Sequence, residues 1–250
     1  MAKLRATNID PKTATTLTLG ASGDSVTFAS TEIRANTFKD AGGNTLFTSN
    51  GSGTVSGVNE ALSGGGWKKL ASYTIASGTA TFNISTGLDT TYPEYIFIIN
   101  DFMGPDGTNT HPRINFTSDG GTTMLSKTSF FGKGGYSQTG AGGNISTLTS
   151  NTYSLRANTA YQPISDTPIN FTGTNSASFK IHLYGNNETT YRKFYKVTGT
   201  YLQNAASGSQ WFEFVEIAGR INATTTINSF HLQTESNNMR NGIVDLYGVV

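Results

Sequence analysis

The β-branched and aromatic residues of this chain fall in short runs bounded by Gly, Asn and Asp, the pattern of strands joined by turns. From Trp67 onward the runs lengthen. They predict strands at Lys69 to Ile75, Thr79 to Ile84, Tyr95 to Asn100, Arg113 to Thr117, Ser129 to Gly132, Ile169 to Thr172, Ser178 to Tyr184, Arg192 to Tyr201, Trp211 to Ile221, Thr226 to Gln233 and Gly242 to Val249. Several alternate strictly: Phe179, Ile181 and Leu183 share one face, with Lys180, His182 and Tyr184 on the other. Roughly eight to eleven strands with turns between them, and no βαβ alternation, predict an all-β fold: a jelly-roll-like antiparallel β-sandwich over residues 67–250. Gly132 to Ser146, rich in Gly and almost free of apolar residues, predicts a long exposed loop.

Residues 1–63 follow another pattern. Their apolar positions come as small alternating sets, Leu17 with Leu19 and Val26 with Phe28, then Val55, separated by turn clusters at 20–24, 40–44 and 50–53. Strands this short and sparse bury no core alone and need copies of themselves or a partner. Asn59 to Leu62 has the makings of a helical turn, and Gly64 to Gly66 reads as a hinge. The expected organisation is therefore a thin, intertwined β shaft and attachment segment (1–63), a Gly hinge (64–66) and a β-sandwich tip (67–250).

Composition narrows the function. Charged residues are 13% of the chain, against roughly 25% in ordinary globular proteins. A net charge of +1 lacks the basic footprint of nucleic-acid binding. The greasiest run, Tyr95 to Ile99, has the length of a strand rather than a membrane span, so no membrane insertion is expected. Met1 to Asp10 contains no apolar core of a secretory signal. With no Cys there are no disulfides, thiolate zinc sites or thiol nucleophiles. An aromatic content of 11% supplies a core and argues against disorder.

Candidate chemistry is thin. His111, His182 and His231 have no metal-ligand spacing, and read as surface or satisfied histidines. Glu213 and Glu216, three apart on a strand, point to opposite faces. Asp101 and Asp106 lie on a loop without the calcium-loop spacing. Asp106-Gly107 and Asp119-Gly120 are turn dipeptides. There is no nucleophile elbow, Walker A or Rossmann fingerprint. No enzymatic activity, cofactor or metal is expected. Tyr184, Tyr191, Tyr195, Tyr201 and Trp211 cluster around the turn Gly185 to Glu188. Aromatic faces beside Asn and Asp are one way to hold sugars, which offer an apolar face and a hydroxyl rim. The candidate glycan or receptor contacts are Tyr184, Tyr191, Asp106, His111 and Tyr136.

The stretch Ala6 to Thr13, then Thr16-Leu-Thr-Leu-Gly20, Gly43-Asn-Thr-Leu46 and the closing run Gly242-Ile-Val-Asp-Leu-Tyr-Gly248 together resemble the short tail-fibre proteins of bacteriophage virions. The resemblance is one of style across most of the chain. It implies a homotrimer that docks on other virion proteins through its N-terminal segment, with Leu4, Ile9, Leu17 and Leu19 as docking contacts. It also implies a β-rich tip that contacts a host surface polysaccharide or receptor, and assembly in the host cytoplasm. Three chains side by side would let sparse strands share one apolar axis and cover each other's edges. The expectation is a non-enzymatic tail fibre. Its rivals are a trimeric capsid decoration protein, a polysaccharide-cleaving tail spike and a free carbohydrate-binding module.

Overall fold

The computed structural model describes residues 37–39, 44–49, 55–56, 66–106, 109–137, 143–171, 175–204 and 210–250, and all its elements are strands. The chain divides into two units, Met1–Gly64 and Gly65–Val250. In the first, β1 (Thr37–Lys39), β2 (Thr45–Ser49) and β3 (Val55–Ser56) pair antiparallel in chain order. Phe38 stacks on Phe47 across β1 and β2, with ring centroids 4.4 Å apart. The expected docking contacts Leu4, Ile9, Leu17 and Leu19 lie outside the described residues, as does the turn at Asn59 to Leu62.

The second unit is an antiparallel β-sandwich. Its strands are β4 (Trp67–Thr74), β5 (Thr81–Ile84), β6 (Glu94–Met103), β7 (Asn109–Thr110), β8 (Pro112–Thr117), β9 (Lys127–Ser137), β10 (Gly143–Leu148), β11 (Gln162–Pro163), β12 (Ile169–Asn170), β13 (Ala177–Tyr184), β14 (Lys193–Asn204), β15 (Gln210–Ile221), β16 (Ser229–Thr234) and β17 (Asn241–Val249). Eight form one sheet in the order β10-β9-β15-β14-β13-β6-β17-β4, and four form the other in the order β11-β8-β16-β5. β12 and β7 make a small separate pair.

Alternation sets the layers. Along β13 every second residue, from Ala177 to Leu183, is buried. The core is built where aromatic rings of the two sheets interleave. Phe97 of the large sheet stacks on Phe230 of the small one at 4.3 Å, and Phe116 of the small sheet meets Tyr195 at 5.5 Å. In β6 the alternation slips at Asp101, whose φ of 51° marks a bulge. The extra residue turns Phe102 inward, where it meets Phe171 edge-on.

One expectation is overturned. Gly132 to Ser146 is no long loop: β9 runs on through Gly132, Gly134 and Gly135 to Ser137 and pairs with β10 from Gly143. The glycines are strand residues that make room for neighbours. A Cβ on Gly134 would stand 2.2 Å from the Phe214 ring of the adjacent strand. An aromatic lying across a strand glycine replaces the side chain that the pattern lacks.

Candidate functional site

β15 places Trp211, Glu213, Val215 and Ile217 on its inner face. Glu213 is only 4% exposed, and a carboxylate in an apolar stripe must find partners. Lys133 of β9 stands 3.5 Å from Glu213 Oε1 and pairs directly with Asp166, which follows β11. Thr167 Oγ1 donates to Glu213 Oε2 at 2.9 Å, and the Tyr201 hydroxyl donates to Asp166 Oδ1 at 2.9 Å. Burial pulls the Lys133 pKa down, but the bond to Asp166 and the field of Glu213 outweigh it, and the ammonium is held above its ordinary value. Burial, then the two carboxylates, push the Tyr201 hydroxyl well up.

A second group adjoins the first. His111 Nδ1 bonds the Ser165 carbonyl at 3.1 Å, and its Nε2 lies 3.7 Å from Glu235, which also pairs with Arg113. Burial lowers the His111 pKa, against the Ser165 bond and Glu235, so the ring is neutral at pH 7. Tyr153 packs beside it at 5.9 Å; its hydroxyl pKa is raised by burial and then by Asp166 and Glu235. Three carboxylates thus face two permanent cations, leaving this end of the sandwich slightly negative.

The first group opens into a cavity of about 230 Å³. In the strand register Glu213 faces Gly135, and Gly135 faces Asn144 of β10. The glycine leaves a gap between a carboxylate and an amide. Trp211, two residues from Glu213, lies on the same face and closes one side, and Lys133 and Thr167 complete the lining. Hydrolysis at a sugar bond requires a carboxyl that delivers a proton. Here Lys133 lies against both carboxyls and two hydroxyls donate to them, so the pair presents acceptor oxygens. Among the described residues no group of His, Asp and Glu side chains converges as metal ligands.

The structure divides the residues expected to contact a glycan. Tyr184 pairs in register with Phe194, whereas Tyr136 pairs with Phe212, which pairs with Leu202. Eight residues of β14 separate the two levels, about 27 Å at the usual strand rise. Tyr184, stacked on His182, and Tyr191, in the exposed turn before β14, belong to one end. Tyr136, His111 and Asp106, which pairs with Arg240 at 3.0 Å, belong to the other. No single site holds all five. Of the remaining histidines, His182 pairs with Glu94, and His231 is buried in β16 beside the Ser229 hydroxyl at 3.2 Å.

Sequence reasoning passed over Lys133 and Asp166. Lys133 sits in the glycine-rich stretch mistaken for a loop, and Asp166 lies in an irregular segment without a motif. The available signal was Glu213, a charge in phase with Val215 and Ile217.

The outer face of the eight-stranded sheet is a further feature. Phe130, Phe194, Phe212, Phe214, Tyr136 and Ile145 all point out from it, and Ile145 is 83% exposed. Its charges are largely paired within the face, Lys196 with Glu216 at 2.6 Å and Lys69 with Asp245 at 2.9 Å.

Comparison with family models, curated proteins and solved structures returns no match to this chain.

Proposed function

We propose that this chain is a non-enzymatic, self-associating fibre protein of a virion, a homotrimer whose sandwich is the tip that contacts the host surface. The observation that carries the reading is the apolar outer face of the eight-stranded sheet. Phe130, Tyr136, Ile145, Phe194, Phe212 and Phe214 gather on four adjacent strands of that face, and exposed apolar patches rimmed by polar residues mark interaction surfaces. The whole outer face, seven strand spacings of ~4.8 Å by a usable height of ~20 Å, spans about 700 Å², close to the ~800 Å² that each partner contributes to a stable interface, and those six side chains occupy its β10-β9-β15-β14 half. A second copy of the same chain is the occupant that suits a face whose charges are largely paired within it. The number three comes from the likeness to tail fibres, and a heterologous contact that closes a ring satisfies it.

Sedimentation of the purified protein is expected to give about three times the 26.6 kDa chain mass. Phe194→Glu together with Phe214→Glu places charges on the face without entering the core. The pair is expected to weaken association at least ~100-fold while far-UV circular dichroism stays that of a β protein. A folded wild-type monomer overturns the reading.

A further inference from the structure

We infer that the cavity between Trp211, Glu213 and Asn144 is a binding site for one uncharged pyranose unit. The inference rests on reading the sandwich as the host-contacting tip, and gives that contact a place and a ligand class. Three features of the cavity converge on it.

First, the space is built into the strand register. Gly135 lies between Glu213 and Asn144 on three adjacent strands, so the flanking side chains start about 9.6 Å apart, two strand spacings. A Cβ on Gly135 would come within 3.0 Å of Glu213 Cγ, so any other residue there would crowd the gap.

Second, the polar groups match hydroxyls. Glu213 is held in place by Thr167 and Lys133, and these contacts leave lone pairs of its two oxygens unused. Asn144 offers an amide oxygen and two N–H donors, and the Lys133 ammonium, already against Asp166 and Glu213, has a third N–H to give. A sugar hydroxyl both donates and accepts, so it is served by this mixture of acceptors and donors. A purely apolar ligand would leave buried polar atoms unpaired, and the surplus of carboxylates disfavours an anion.

Third, Trp211 supplies an indole beside those polar groups. The C–H face of a pyranose packs on an aromatic ring while its rim makes hydrogen bonds. A cavity of about 230 Å³ suits one ring, at the end of a chain or as a branch.

The protein has two tryptophans, Trp67 and Trp211, so Trp67→Phe leaves the cavity indole as the sole reporter. This variant is titrated with glucose, galactose, mannose, rhamnose and N-acetylglucosamine up to about 100 mM while Trp211 emission is recorded. At least one sugar is expected to shift the emission saturably, with half-saturation at about 0.1–10 mM. Asn144→Ala and Gly135→Ala, each added to that variant, are expected to weaken the response at least ~10-fold with circular dichroism unchanged. Asn144 is exposed and leaves the fold intact should the Gly135 variant not fold. No saturable response to any of the five sugars overturns the inference. So does a response indifferent to Asn144→Ala, or tighter binding of N-acetylneuraminic acid than of every neutral sugar. The mass measurement keeps the two readings apart. A trimer without sugar binding removes this inference alone, and a monomer that binds sugar removes only the assembly.

Discussion

Gly219→Ala is expected to destabilise the sandwich by about 3–5 kcal/mol, as measured by urea unfolding. The added methyl would stand 2.2 Å from Tyr195 Cζ and 2.5 Å from the Tyr195 hydroxyl oxygen, which no small relaxation relieves. Tyr195 cannot swing away cheaply. Its ring packs against Phe116, and its hydroxyl donates to Gln162 Oε1 at 3.2 Å. Gln162 is itself fixed by Ser129 at 2.6 Å and by the Tyr153 carbonyl at 2.8 Å. Moving the ring would strand a buried hydroxyl and loosen the seam between the sheets. For a domain of this size the melting temperature should fall on the order of 10 °C. Pairing the change with Tyr195→Leu empties the space above position 219 and is expected to recover part of the loss. Failure of that double variant to exceed Gly219→Ala would refute the steric account. Gly199 lies under Phe179 in the same way, with 2.2 Å between an added methyl and the ring, so Gly199→Ala should behave alike.

These glycines explain what was legible in the sequence. Strict alternation, as in Phe179, Ile181 and Leu183, identified the central strands because both the period and the residue types agree there. The β9–β10 hairpin was hidden because its strand residues are glycines: Gly134, on the outer face, is covered by the Phe214 ring of the neighbouring strand, and Gly135, on the inner face, leaves the gap beside Glu213. Periodicity of a chain's own side chains cannot reveal a surface borrowed from elsewhere. The site was hidden for a related reason. Glu213 announced itself by phase, but its partners Lys133 and Asp166 come from a disguised strand and an irregular segment, 80 and 47 positions earlier. The aromatic outer face was legible residue by residue, since Phe212 and Phe214 alternate with Glu213. Its extent depended on a strand order that places β9 and β15 side by side, and local patterns do not specify strand order.

Stability is expected to rise by about 2 kcal/mol between pH 7 and pH 9, and Lys127→Met should remove most of that rise. Lys127 is fully buried, and its ammonium is held by neutral oxygens, the Asn115 side-chain carbonyl and the Leu125 carbonyl at 2.9 Å. Burial lowers its pKa from 10.5 to about 7. The unfolded chain therefore binds a proton that the folded chain releases across this interval. When the unfolded state holds more protons, raising the pH favours folding. Above the unfolded value the lysine is neutral in both states and costs nothing. As the pH falls through about 7 the cost of charging it reaches its full extent. Lys193, caged by the carbonyls of Glu188, Tyr191 and Thr224, is lowered by burial as well, so a smaller slope of the same sign should survive in the variant. The tyrosines set the upper limit of the window. Burial raises Tyr95 to about 12, and it raises Tyr195 and Tyr201 also, so above pH 10 the unfolded chain loses protons first and the trend reverses. Urea midpoints at pH 7, 8 and 9, read for both proteins, test the account. A flat wild-type profile, or an equal slope in Lys127→Met, would show that Lys127 does not titrate in this interval.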